Sequence, residues 1–316
     1  MNIVFTVCNR TQLPNALALG VSVLRHHPDY LFYIGWADTI PLSNLPKNIK
    51  TISVEKLGIQ EWGEMCARYY DFELVAAARP WFAKGILKSN PNCSTLTFLS
   101  PTTILYDSMQ EINDPAADLL LTPNITKPLA PSKNLDDKRI LNIGMYHSGS
   151  WTLKPNPVTI KMLDWWAHRT IDRAKFDLCN GMCMDQLWLN YMPVWVEKTT
   201  KIGHPGWHYG LHSVLNKTLS EKNGNLSVEN EKLISADFAG LMHFDPVWSD
   251  HSALINQSPV FKKLFREYSE TVKTYDKGLP DKEPGYGMIP KISDQRLLRK
   301  NLTGKLKAIT KFIDQF

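Results

Sequence analysis

The chain has 316 residues, room for one large domain or two modest ones. Hydrophobic residues make up 43% and charged residues 21%, which suits a globular protein with a large core. The formal charge of +5 suits polyanionic ligands or an anionic membrane surface but is too mild for a nucleic-acid-binding signature.

No apolar run approaches the ~20 residues that span a bilayer. Cys8, Cys66, Cys93, Cys179 and Cys183 form no Cys-x-x-Cys pair, and no matching His/Cys pair completes a zinc site. Reduced structural thiols and a cytoplasmic location are expected. Peripheral attachment to the inner face of the cell membrane is an open alternative.

The opening unit is a strand (Ile3 to Val7), a polar turn and a helix with Leu13, Ala16, Leu17, Val21 and Leu24 at helical spacing. Apolar runs at Leu31 to Ile34 and Thr51 to Val54 supply further strands. This alternation predicts a mostly parallel α/β sheet flanked by helices, with ligands beyond the carboxyl ends of the strands. Phe72 to Leu87 is the next helix, which Pro80 is expected to kink or interrupt. Thr95 to Asp107 is a buried strand running into a turn at Ser100-Pro101-Thr102. Ile140 to Met145 is read as a strand, Val158 to Arg173 as an amphipathic helix, and residues 180–190 as a second helix after Gly181. Lys217 to Glu231 is polar and expected to be a mobile loop. Leu233 to Met242 returns to the core, Pro259 to Tyr275 is a helix, and Gly278 to Pro290 is a Pro/Gly hinge. The expected division is a main domain over 1–258 and C-terminal helices with a basic amphipathic tail over 259–316. There is no repeat and no Gly-rich phosphate loop.

Six pieces then stand in a familiar order: Cys8-Asn9 after the first strand; Tyr70 to Phe82, with Arg79; Phe98-Leu-Ser-Pro-Thr; Leu141-Asn-Ile-Gly-Met; Met184-Asp-Gln-Leu-Trp-Leu-Asn; and Leu241-Met-His-Phe. Over roughly residues 1 to 250 the set resembles bacterial glycosyltransferases of the GT-A (Rossmann-like) fold, close to the retaining galactosyl- and glucosyltransferases of surface polysaccharide. The resemblance implies a nucleotide-sugar donor and a saccharide or lipid-linked acceptor. It also places Ser100 and Thr102 where the family carries Asp-X-Asp, whose carboxylates hold a divalent metal against the diphosphate. Neutral hydroxyls are poor ligands, so little metal dependence and no tightly bound cofactor are expected.

By the same resemblance Asp185 and Gln186 face the sugar, and His243 stands where the family has a third metal ligand, here left for a phosphate. Thr6, Cys8 and Asn9 line the nucleotide; Ser100 and Thr102 touch ribose or phosphate; Asn142 and Gly144 lie beneath the sugar. Each has a plainer alternative: Asp185 as a helix cap, Asn9 as an Asx turn, Asn142 as a strand-end polar residue.

Something must balance a departing phosphate. Arg79 is the leading candidate, because guanidinium binds phosphate oxygens bidentately, although a surface ion pair would also explain it. Lys84, Lys201, His204, His208 and His251 are the others. Lys201, His204, Trp207 and His208 share a Gly/Pro loop of the kind that covers ligands, with Trp207 and Tyr209 as sugar platforms. The tail from Gln295 to Phe316 fits either an interfacial helix on anionic lipid or a helix docked on its own domain. A catalytically silent homologue that binds sugar or partners a transferase is the alternative function.

Overall fold

The computed structural model describes residues 1–132, 135–276, 278–279 and 283–289, with 302, 306, 309 and 313 as single positions. In chain order the elements are β1 (Asn2–Cys8), α1 (Leu13–His26), β2 (Leu31–Trp36), β3 (Ile49–Ser53), α2 (Trp62–Arg68), α3 (Asp71–Ser89), β4 (Thr95–Leu99), β5 (Thr103–Leu105), β6 (Leu119–Pro123), α4 (Asp137–Ile143), β7 (Tyr146–Leu153), α5 (Pro157–Thr170), β8 (Phe176–Asp177), β9 (Met182–Cys183), α6 (Met192–Trp195), β10 (Thr199–Lys201), β11 (Leu219–Lys222), β12 (Asn225–Val228), β13 (Glu231–Lys232), β14 (Ser235–Asp237) and α7 (Pro259–Thr274).

Seven strands form the central sheet in the order β10-β6-β7-β4-β1-β2-β3. All neighbours pair in parallel except β7, which runs antiparallel between β4 and β6. From β1 the chain winds one way to β2 and β3, then crosses back to place β4 on the other side. The carboxyl ends of β1 and β4 therefore flank a topological switch point, where open sheets leave a crevice.

β1 and β4 are buried on both faces, with Thr6 and Thr97 enclosed among their apolar residues. Phe5, Phe98, Trp151 and Trp166 form one aromatic layer at centroid distances of 5.1 to 5.6 Å. The inner face of α7 (Phe261, Leu264, Tyr268, Val272) joins Tyr209 and Phe238 in a second buried cluster.

Four local expectations change. Residues 140–145 are not a strand: Asp136 caps α4 by accepting the Lys138 N–H, Ile140 and Ile143 face inward three apart, and Gly144 ends the helix at φ +107°. The strand begins at Tyr146. Pro80 does not interrupt α3, which runs through it for 19 residues. Residues 219–232 are not a mobile loop but a three-stranded antiparallel sheet, whose first turn is Asn223-Gly224, both left-handed, between the paired Lys222 and Asn225. Gln186 to Tyr191 is a 3-10 turn rather than a helix start.

The tail predicted over 295–316 lies outside the described residues apart from Leu302, Leu306, Ile309 and Ile313, which are helical and exposed. Among the described residues no helix is long and apolar enough to cross a membrane.

Candidate functional site

A cleft of about 290 Å³ opens at the switch point. Asn9, Thr11 and Gln12 after β1 line one side, Ser100, Pro101 and Thr102 after β4 the floor. Asp71, Phe72, Val75 and Arg79 from α3 face Ala239, Gly240 and His243 to Pro246. Met184 and Ile289 complete the lining.

The turn after β1 is fixed by a buried ion pair. Arg10 forks onto Asp38 after β2, with Nε and Nη2 both donating to the carboxylate and the Arg10 backbone N–H adding a third contact at 3.0 Å. Burial would raise the Asp38 carboxyl; the Arg10 hydrogen bonds outweigh it and hold it below the usual range. Asn9 then makes the Asx turn, its Oδ1 accepting from Thr11 N–H and Oγ1 while its amide reaches Asp71 at 3.5 Å.

Arg79 is neither an exposed ion pair nor a free cation. Its Nη1 donates to Ser148 Oγ at 2.9 Å and to both carboxylate oxygens of Asp185 at 3.1 and 3.2 Å, and its guanidinium lies 5.0 Å over the Phe98 ring. The Asp185 side chain has no exposure, and Arg79 retains 13%. Burial pushes the Asp185 carboxyl up while the Arg79 charge and the Ser148 and Arg79 hydrogen bonds pull it back. Asp185 thus stands behind Arg79 as its counter-ion.

Gln186 is also engaged: Oε1 accepts the Ser148 N–H at 3.0 Å, and Nε2 donates to the Ile143 carbonyl at 2.8 Å. Neither Asp185 nor Gln186 lines the cleft. The residue before them, Met184, does so from a left-handed backbone at φ +47°.

The floor is a chain of hydroxyls. Thr102 Oγ1 donates to Asp237 Oδ1 at 2.5 Å, which leaves Ser100 Oγ to donate to Thr102 Oγ1 at 2.9 Å. The carboxylate that meets Thr102 is therefore Asp237 on β14. His243 does not take that place. Its Nε2 pairs with Asn15 Oδ1 at 3.0 Å, and burial lowers its pKa. Two hydroxyls already bonded to each other do not fit a divalent cation held against a diphosphate by carboxylate ligands.

Of the residues expected from sequence, Asn9, Arg79, Ser100, Thr102 and His243 come together in the cleft. Thr6 and Cys8 are fully buried within β1, and it is the turn from Asn9 to Gln12 that reaches the cleft instead. Asn142 is exposed on α4, and Gly144 packs against Leu187 and Asn190, because the expected strand is a helix. Trp207 is a core residue, its Nε1–H donating to Thr122 and Ser150 hydroxyls at 2.9 and 3.1 Å. His204 lies 3.2 Å from Glu111, away from the cleft. Lys201 is exposed on β10. Lys84 pairs with Asp164 at 2.7 Å on a separate groove of about 1210 Å³ that shares no residue with the cleft.

Sequence reading gave no role to Phe72, Phe244 or Asp245, although Phe244 closes the Leu241-Met-His-Phe piece. Phe72 stands edge-on to Phe244 at 5.5 Å and stacks on Tyr70 at 5.8 Å, giving the cleft an aromatic wall. Phe72 and Phe244 each precede or follow a charged or polar residue, and no spacing distinguishes them from core aromatics.

Asp245 caps the turn after it, Oδ1 accepting from Val247 and Trp248 N–H at 2.8 Å each. Burial raises its carboxyl to about 6, against those hydrogen bonds. The folded state therefore holds a proton that the unfolded chain has lost between about pH 4 and 6, and stability falls as pH rises through that window. Asp245→Asn is expected to stabilise the protein by about 1–2 kcal/mol at pH 7.5, the lower end reflecting its partial exposure, and by much less at pH 4.5. Urea melts at the two pH values measure this; equal effects at both would show that Asp245 is not the titrating group.

No protein-family model matches the chain, and no curated protein matches its sequence. Among solved structures it is similar to the galactosyltransferase LgtC in complex with donor and acceptor sugar analogues, with a TM-score of 0.49 and 12% identity over 92% of this chain and 98% of that one. An active-site mutant of LgtC gives the same TM-score and coverage at 13% identity.

Proposed function

We propose that this chain is a GT-A-type glycosyltransferase that binds a nucleotide-sugar in the cleft between β1 and β4 and passes the sugar to a saccharide or lipid-linked acceptor of a surface glycan. The observation that carries the reading is Arg79, a guanidinium held by a sealed carboxylate at a topological switch point, lining the cleft. When the sugar–phosphate bond breaks, charge builds on the phosphate oxygens, and a preorganised cation stabilises it without further reorganisation. Asn9, Thr11 and Ser100 offer hydrogen bonds nearby, and Phe72 and Phe244 offer flat faces to a base or sugar. The donor's charge is met by these groups rather than by a cation in the cleft. Retention of configuration is part of the proposal, and rests on the resemblance of the Asp185-Gln186 segment.

A second reading is a catalytically silent homologue. The sealed Asp185 and fully engaged Gln186 favour it, since neither presents a free group to a sugar. Calorimetry with a panel of nucleoside mono- and diphosphate sugars in EDTA, followed by donor hydrolysis and transfer assays, separates the two. The transferase reading expects one donor to bind and turn over; binding without turnover supports the silent protein, and no binding across the panel ends the transferase reading.

A further inference from the structure

Beneath the Ser100–Thr102 turn three buried side chains converge on one point. His147 comes from β7, His208 from the loop between β10 and β11, and Asp237 from the end of β14, at 5%, 0% and 2% exposure. The Nε2 atoms of His147 and His208 lie 3.8 and 3.5 Å from Asp237 Oδ2. One ligand atom from each residue falls within 4.8 Å of the other two.

These separations are too long for hydrogen bonds, and neither Nε2 nor the Nδ1 of His208 has a hydrogen-bond partner. Buried polar atoms left in this way are costly and call for an occupant. A tetrahedral ion with bonds of about 2.0–2.2 Å sets its ligands about 3.3–3.6 Å apart, so the gap is roughly one cation wide.

We propose that His147, His208 and Asp237 bind a transition-metal dication of the Zn²⁺ class. Two imidazoles and one carboxylate favour such an ion over Mg²⁺ or Ca²⁺, which take oxygen ligands. Much of the shell around the three is in place. Thr102 Oγ1 and the Ala239 N–H hold Asp237 Oδ1 at 2.5 and 3.2 Å, turning Oδ2 towards the histidines. Trp248 stacks on His147 at 6.0 Å, and the His212 ring lies 5.1 Å from that of His147.

One contact must change. Nδ1 of His147 accepts the Gly149 N–H at 2.9 Å, which leaves the ring proton on Nε2. Coordination at Nε2 moves that proton to Nδ1 and turns the Gly149 amide to another acceptor. The same residue also meets the cleft floor, the Gly149 carbonyl accepting the Ser100 N–H at 2.7 Å. The ion is thus a positioning centre under the floor rather than a ligand of the substrate, and the site stands whether or not the chain transfers sugar.

The test uses the full chain, stripped with a chelator and reloaded with Zn²⁺ or Co²⁺. One ion per chain by elemental analysis, a rise of several degrees in Tm with Zn²⁺, and Co²⁺ d–d bands without thiolate charge-transfer are expected. His208→Gln and Asp237→Asn should each lose the ion, with circular dichroism reporting whether they fold. Where a variant fails to fold, the Co²⁺ spectrum of the unaltered protein decides. No stoichiometric ion, a thiolate spectrum, or undiminished uptake by folded His208→Gln would overturn the proposal.

Discussion

Arg79→Met is expected to lower stability by about 3–5 kcal/mol and to weaken nucleotide-sugar binding at least tenfold. The first effect follows from Asp185, whose side chain has no exposure and whose ion-pair partner is Arg79. Removing one member of a buried pair leaves the other charge in a low dielectric, which costs more than the pair was worth. Methionine fills much of the space over Phe98, so lost packing is a small part of the change. The second effect follows from the proposed phosphate contact, since a hydrogen bond to a charged group contributes about 1.5–3 kcal/mol. The double variant Arg79→Met with Asp185→Asn separates the two. It should recover most of the stability, because no buried charge remains, and none of the affinity. Urea melts and calorimetry read the two quantities; a double variant that regains binding would remove Arg79 from the phosphate site.

Gly206→Ala should be nearly as damaging for a different reason. A Cβ at that position would sit 1.8 Å from the Lys232 carbonyl oxygen and 2.8 Å from its carbon. Backbone rather than a flexible side chain blocks it, and that backbone is pinned, because Ile234 and Ser235 both donate their N–H to the Gly206 carbonyl at 2.8 and 3.1 Å. Relief requires the 204–209 loop to part from the start of β14, and a loss of about 3 kcal/mol or more is expected. The same rupture would displace His208, whose N–H donates to Ser235 Oγ at 2.8 Å. A melt within 0.5 kcal/mol of the unaltered protein, about the size of an ordinary surface change, would show that the loop yields freely.

The first half of the fold was legible because each element there advertises one period. β1, β2 and β4 are short segments dominated by apolar residues, and α1 repeats Leu and Ala at helical spacing, so the parallel sheet and its ligand-bearing ends could be read directly. Asn9, Ser100 and Thr102 fall at those ends, whereas Arg79 was singled out by the chemistry of guanidinium with phosphate and His243 by the family resemblance alone. From residue 136 onward the signals conflict. Asn142 and Gly144 have strand-like neighbours, yet Ile140 and Ile143 are three apart, and the Asp136 cap decided the matter for helix. The Asn223-Gly224 pair was a legible hairpin signal hidden in a polar stretch. Trp207 was misplaced because an aromatic residue in a Gly/Pro loop looks exposed until Thr122 and Ser150 supply partners for its N–H. His147, His208 and Asp237 lie 61 and 29 residues apart along the chain. The pairing of β14 with β5, of β7 with β4 and of Tyr209 with Ala236 brings them together, and no one-dimensional spacing records that.

Far along the chain, Met288 donates its N–H to the Tyr69 carbonyl at 2.8 Å and accepts from the Asp71 N–H at 3.0 Å. Gly287, left-handed at φ +84°, crosses so near Asp71 that a Cβ would lie 2.8 Å from its Cα, and Ile289 lines the cleft. Tyr286 anchors the crossing by donating its hydroxyl to Glu55 at 2.8 Å. Residues 286–289 are therefore moored along the edge of the cleft. A truncation made before Tyr286 would take these contacts away together and strip Ile289 from the wall of the cleft.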